Sequence, residues 1–301
     1  MRRRGFIGAI GCAAAAAVFA VATPEAGAAR ADAVRRLADL EKPLGGRIGV
    51  AALDTAHGAS LLHRADERFA LCSTFKWLLA AAVLAEIDRG SIGLDQPLTY
   101  GPADLLEVAP VTAAHVREGS LPVGALCAAA VTLSDNTAAN LLMKRLGGPQ
   151  AVTRFLRTTG DETTRLDRWE PGLNSNLPGD ARDTTTPAAM LGSMRTILVG
   201  NALSPKSREH LLGWLKACET GHQRLRAGLP PGWMAGDKTG TGDRGAVNDI
   251  AIIWPPDPAR PDRPPWLIAA YMSGSRAPVE TLNAAHARIG GIVAAEFSAA
   301  T

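Results

Sequence analysis

Cysteine is scarce, histidine is sparse and long charge runs are missing from this 301-residue chain, and each shortage removes a class of function. Of the four cysteines, Cys12 lies in the N-terminal stretch. That leaves Cys72, Cys127 and Cys218, an odd number at irregular spacings that supports neither a disulfide framework nor a zinc knuckle. The six histidines form no H-x-x-H or H-E-x-x-H pattern, so no metal is expected. Net charge is only +3, with no long basic run beyond the first residues, so neither nucleic acid nor an acidic membrane surface is expected as a partner. After the N-terminal stretch no apolar run is long enough to span a bilayer, and there is no repeat or heptad pattern.

What is present is the composition of a folded protein: 47% hydrophobic and 20% charged, with Gly and Pro spread along the chain rather than gathered into disordered tracts. The length suits one large domain or two smaller ones around a real core. Residues 1–28, "MRRRGFIGAIGCAAAAAVFAVATPEAGA", read as an export signal, with a basic start, an Ala-rich middle and an A-x-A end at Ala26, Gly27 and Ala28. Arg3 and Arg4 with Phe6 and Ile7 resemble a twin-arginine signal, and a Sec signal with extra arginines fits as well. The apolar stretch ahead of Cys12 is too short for a lipoprotein signal.

"GRIGVAALDTAHGASLLHRADERFA" alternates around His57-Gly58 and predicts a hairpin. From Ser73 to about Leu146 the pattern is mostly helical, with stops at Gly90 and Gly147-Gly148, and Thr186 to Gly200 predicts another helix. "GWMAGDKTGTG", "NDIAIIWPP" and "PWLIAAYMSG" predict three strands, and a last helix runs from Val279 to about Phe297. Strands come from both ends and helices from the middle. The expected class is therefore α+β: a five-stranded antiparallel sheet flanked by helices, with an all-helical domain inserted. The expected limits are 29–70 and 217–301 for the α/β domain and 71–216 for the helical one.

Within the apolar run from Arg68 to Gly90, Lys76 lies three residues after Ser73. On a helix starting near Ser73 the two share a face, so the ammonium reaches the hydroxyl. The helix N-terminus adds unpaired N–H groups and a positive dipole end at the serine. A serine so placed can act as nucleophile, and a desolvated lysine gives up its proton more readily and can act as base. Taken alone, S-x-x-K favours the plainer reading of an N-capping Ser73 and a Lys76 that snorkels to water.

Two further motifs follow in order, Ser134-Asp135-Asn136 between helical segments and Lys238-Thr239-Gly240 on a strand. S-x-x-K, S-D-N and K-T-G each occur once, and their order and spacing resemble those of the penicillin-recognising serine enzymes. "RLDRWEPGLNSNLPGDARDTTTP", Arg165 to Pro187, resembles the ω-loop of class A β-lactamases. "CSTFK", "LSDNTAANLL" and "DKTGTGDRGAVNDIAIIWPP" fall in the same family order, so the resemblance covers nearly the whole chain after residue 28.

The resemblance implies a β-lactamase/transpeptidase-like fold and hydrolysis of penicillins and cephalosporins, with no cofactor. It implies Ser73 as nucleophile, Ser134 as proton donor to the ring nitrogen, and Glu170 as the base that activates the hydrolytic water with Asn174. Whether Lys76 or Glu170 takes the first proton stays open. Asn136 would hold the substrate's side-chain amide, and Lys238, Thr239 and Thr241 of the Lys238-Thr239-Gly240-Thr241 strand its carboxylate. The oxyanion would lie between the N–H groups of Ser73 and Thr241. Arg224 matches an arginine that aids carboxylate binding in some members, where Val247 occupies the alternative position. Arg168 and Asp183 match a structural ion pair of the loop.

Departures are Val108 at the pocket rim in place of an aromatic residue, and Gly172 in place of an acidic one, which predicts a looser loop. Cys72 aligns with half of one family disulfide whose other half is here Gly242, and Cys127 with half of another whose partner is Ala80, so no disulfide is expected. A periplasmic monomer that acts on small β-lactams and keeps no membrane association after signal cleavage is expected. A D-alanyl-D-alanine peptidase shares the first three motifs, but W-E-P-x-L-N argues against it, and a β-lactam sensor would normally be tied to a membrane span.

Overall fold

The strands from the two ends of the chain meet in one sheet. In the computed structural model, which describes residues 24–257, 259–260 and 262–299, the sheet strands are β1 (Arg47–Asp54), β2 (Ser60–His63), β7 (Met234–Gly242), β8 (Ala246–Trp254) and β9 (Trp266–Ser273). Their spatial order is β2-β1-β9-β8-β7, antiparallel throughout, with Ala51 opposite Ala269 and Lys238 opposite Ile250. The remaining strands are two- or three-residue pieces: β3 (Phe69–Ala70) pairs with β6 (Thr184–Thr185), and β4 (Pro97–Thr99) with β5 (Ser120–Pro122). The segment 1–28 lies outside the described residues as far as residue 23, including Cys12, Arg3 and Arg4. Its last five residues open helix α1 (Pro24–Glu41).

The middle of the sheet is covered on both faces, so β8 and β9 are almost continuously buried rather than alternating in and out of water. Alternation persists in which core each residue joins. On β8 and β9, Ile250, Ile252, Leu267 and Ala269 pack into the core of the inserted helices. Val247, Ala251, Ile268 and Ala270 pack with α1 and the C-terminal helix on the other face.

The helices after α1 are α2 (Phe75–Asp88), α3 (Pro110–Ala114), α4 (Val123–Thr132), α5 (Asn136–Arg145), α6 (Gln150–Thr158), α7 (Pro187–Met194), α8 (Pro205–Lys216) and α9 (Val279–Ala299). Helix α2 is apolar all round because it is buried all round, from Phe75 to Ala85. Asp135, Thr186 and Ser204 cap α5, α7 and α8 by accepting backbone N–H bonds. The helix expected from Thr186 to Gly200 is α7 followed by a π turn, Arg195–Val199. The inserted part is helical in its bulk, with the β4–β5 ribbon added. Strands that short carry no periodicity by which a sequence could announce them.

Candidate active site

Ser73 does not start a helix as a cap. It sits in a 3-10 turn, Cys72–Thr74, that runs into α2, and it makes no capping bond. Cys72 just before it has φ +44, a left-handed conformation that costs energy in a non-glycine residue and fixes the direction in which Ser73 leaves the chain. Strand β7 passes directly beside this turn. A Cβ on Gly240 would lie 2.9 Å from the Leu71 carbonyl and 3.1 Å from Thr74 N, so only glycine allows the approach. Asn248 on β8 completes the junction by donating to the carbonyls of Ala70 and Leu71 at 2.9 and 3.2 Å.

Lys76 does not snorkel either; it is wholly buried. Its Nζ lies 3.0 Å from Ser73 Oγ, 2.8 Å from the Ser134 carbonyl, 3.2 Å from Ser134 Oγ and 3.1 Å from Glu170 Oε1. Asn136 Oδ1 accepts as well, at 2.5 Å. Burial lowers the Lys76 pKa from the usual lysine value, and the charge of Glu170 only partly offsets that. Ser134, with φ +60, turns its hydroxyl between two ammonium groups, since Lys238 Nζ donates to it at 3.2 Å. Lys238 is also wholly buried, and its pKa is lowered to about 8 by desolvation, with further repulsion from Lys76.

Glu170 is 4% exposed, and its Oε1 lies 3.5 Å from Ser73 Oγ. Asn174 donates to its Oε2 at 2.6 Å, while Asn174 Oδ1 is buried without a protein partner, so the two side chains offer acceptor positions that a water can bridge. Asn140, which sequence reasoning missed, accepts from Glu170 N and donates to the Glu170 carbonyl at 3.1 and 3.0 Å. The signal was available, because Asn140 lies one turn after Asn136 on the same face of α5.

The loop from 165 to 187 is held by Asp183, which is fully buried. Its Oδ1 accepts from the backbone N–H groups of Asp167 and Arg168, and its Oδ2 from Arg168 Nε at 2.5 Å. Its carbonyl also accepts from Leu71 N at 2.8 Å, so the same residue steadies the segment that leads to Ser73. Arg168→Ala leaves that carboxylate without its cation and is expected to cost about 3 kcal/mol. Urea denaturation measures the loss.

A cleft of about 490 Å³ is lined by Ser73, Ser134, Asn136, Thr239 and Thr241, with Val108 on its rim, 48% exposed. Arg224 lines it but is no solvated loop residue, being 6% exposed. Its guanidinium donates to the carbonyls of Gly240 and Asn248, to Thr241 Oγ1 at 2.6 Å and to Asn283 Oδ1. Most of its donors are therefore committed to the wall behind Thr241. Thr220, also unanticipated, shares a 2.6 Å hydrogen bond with Thr239 Oγ1. Val247 is buried in β8. Gly172 borders open space, and a Cβ on Gly242 would come 2.7 Å from Cys72 Sγ. Cys72, Cys127 and Cys218 are buried thiols. Among the described residues no group of three or more His, Cys, Asp or Glu side chains could hold a metal, and no helix is long and apolar enough to cross a membrane.

Comparison with known proteins gives one answer. The profile of the Beta-lactamase enzyme family matches residues 31–297. The chain is 50% identical over 232 residues to β-lactamase OXY-2 of Klebsiella oxytoca, covering 77% of this chain and 80% of that one. It is 48% identical over 242 residues to the carbapenem-hydrolyzing β-lactamase KPC of Klebsiella oxytoca, covering 80% of each. Among solved structures, an ancestral (GNCA) class A β-lactamase superposes with a TM-score of 0.83 at 56% identity, covering 87% of this chain and 98% of the other.

Proposed function

The chain belongs to the β-lactamase enzyme family and is a class A serine β-lactamase that opens the β-lactam ring of antibiotics, and we propose that it does so through an acyl-enzyme on Ser73. The observation that carries this reading is the position of Lys76 Nζ, within 3.2 Å of Ser73 Oγ, Ser134 Oγ and Glu170 Oε1 at once. One buried ammonium joins nucleophile, leaving-group acid and hydrolytic base.

In acylation the Ser73 hydroxyl gives its proton to Lys76 in its neutral amine form, which burial makes more accessible, or through a water to Glu170, and Oγ attacks the ring carbonyl carbon. Negative charge then develops on the carbonyl oxygen, which the N–H groups of Ser73 and Thr241 would stabilise, each such donor being commonly worth about 3 kcal/mol. As the carbon–nitrogen bond breaks, Ser134 protonates the ring nitrogen and recovers a proton from Lys76. In deacylation Glu170 takes a proton from a water shared with Asn174, the hydroxide attacks the ester, and Ser73 leaves as a hydroxyl. Asn136 would hold the substrate's amide and Lys238 and Thr239 its carboxylate. Arg224 would act chiefly by fixing Thr241.

Lys238 makes the carboxylate contact sensitive to pH. Only its protonated form attracts the carboxylate, and that form prevails below its pKa, so kcat/KM is expected to fall as pH rises through about 8. A pH profile of benzylpenicillin hydrolysis checks this, and Lys238→Arg, whose cation persists, is expected to move the alkaline limb upward.

The direct test of the reading is turnover of benzylpenicillin by the purified chain without residues 1–28, followed through many equivalents of substrate. Rapid multiple turnover supports a hydrolase, whereas an adduct that persists on the unaltered protein would favour a sensor or a peptidase. Penicillins and cephalosporins are the proposed substrates, periplasmic export is supported by the basic-apolar-A-x-A leader, and a monomer is proposed from the family.

A further inference from the structure

A second cavity, of about 540 Å³, lies between the tip of the 165–187 loop and the ends of β1 and β9, and it shares no lining residue with the catalytic cleft. Four arginines line it, Arg47, Arg68, Arg244 and Arg276, against one acid, Asp180. Two of them are fixed as wall. Arg47 is paired with Glu67 and lies 4.6 Å over the Phe69 ring, and Arg68 donates to the Thr163 carbonyl and to Thr184 Oγ1. Asp180 is already taken by Arg182, at 2.8 Å. Among the described residues the Arg244 and Arg276 side chains have no hydrogen-bond or ion-pair partner. Their chain segments are nevertheless held together, since Gly274 N donates to the Arg244 carbonyl at 2.8 Å. A pocket with two unpartnered guanidinium forks, two more behind them and its only acid neutralised is matched to multiple negative charge.

We propose that this cavity is a second ligand site, taking a small multiply charged oxyanion of the phosphate class between Arg244 and Arg276. Its volume admits a phosphate ester or pyrophosphate as well as phosphate itself. The site would touch the catalytic loop through Asn176, which lines the cavity and donates to the carbonyls of Asp243 and Arg244 at 3.1 and 3.2 Å and to Ser273 Oγ at 3.0 Å. Asp243 N in turn donates to the Asn174 carbonyl at 2.9 Å. An anion drawn onto Arg244 and Arg276 therefore bridges the segment after β9 and the β7–β8 turn, to which Asn176 holds the loop tip. The proposal does not depend on the reaction assigned to Ser73.

The test is calorimetric titration of the protein without residues 1–28 with inorganic pyrophosphate, at ionic strength held constant with chloride, for wild type and for Arg244→Asn/Arg276→Gln. Asparagine is chosen because Arg244 has φ +54, which Asn tolerates. Both side chains are exposed and have no hydrogen-bond or ion-pair partner among the described residues, so the variant is expected to keep its fold and its benzylpenicillin turnover. Saturable one-site binding by wild type, weakened at least tenfold in the variant and not competitive with benzylpenicillin, is the expected result. Absence of saturable binding overturns the proposal, as does binding that the variant leaves unchanged or that competes with benzylpenicillin, which would place the anion at Lys238.

Discussion

Ser73→Ala is expected to lower kcat/KM for benzylpenicillin on the order of a millionfold, the scale seen when a serine nucleophile that works as a unit with its base is removed. The loss should fall on chemistry and leave the fold intact. Ser73 packs at the junction of β7 and the turn before α2, where alanine fits, and Lys76 keeps the Ser134 carbonyl, Asn136 and Glu170 as partners. Steady-state hydrolysis, with circular dichroism as the folding control, measures the effect. Residual activity within a hundredfold of wild type would mean that a water attacks the ring directly and that Ser73 is not the nucleophile.

Glu170→Gln is expected to separate the two halves of the reaction. Glutamine keeps the shape and the contact with Asn174 but cannot accept a proton, so deacylation should slow by roughly 10²- to 10⁴-fold. Stopped-flow measurement should show one equivalent of ring opening followed by a stall. Glu170 raises the Lys76 pKa against the effect of burial, so its neutralisation makes Lys76 a more available base. A burst as fast as that of wild type therefore assigns the first proton to Lys76. A burst slowed a hundredfold or more assigns it to Glu170 acting through a water.

The parts of this site legible in the sequence are those whose chemistry forces spacing. Ser73 and Lys76 share one turn, and the K-T-G strand carries a glycine where β7 passes Ser73, so both leave local patterns. The three long C-terminal strands and the first hairpin were legible through their apolar runs and turn residues, as was the division of the chain into outer strands and inner helices. The β3–β6 and β4–β5 ribbons were not, because their pairing is set by distant segments. The helices α6 and α8, between the motifs, were not singled out either, although α8 has a Ser-Pro start at Ser204-Pro205.

Environment was harder to read than identity. Nothing local distinguishes a snorkelling Lys76 from one buried against Glu170, 94 positions away, or a solvated Arg224 from one whose donors meet β7, β8 and α9. Asp249 is the same kind of case. On β8 it reads as one more polar residue, yet it is fully buried, accepts from Leu225 N, and has its pKa raised well above the usual carboxylate value by desolvation and by the charge of Asp237. Such properties belong to the packing of several elements and appear only once the chain has folded.

The proposed mechanism transfers the antibiotic's carbonyl to Ser73 and releases it through a water activated by Glu170. It is tested most directly by quenching Glu170→Gln in acid after mixing with excess benzylpenicillin, digesting it, and locating the added mass among the peptides. One equivalent of penicilloyl adduct is expected on the peptide that contains Ser73. An adduct on another peptide, or none while the ring is still opened, would contradict it.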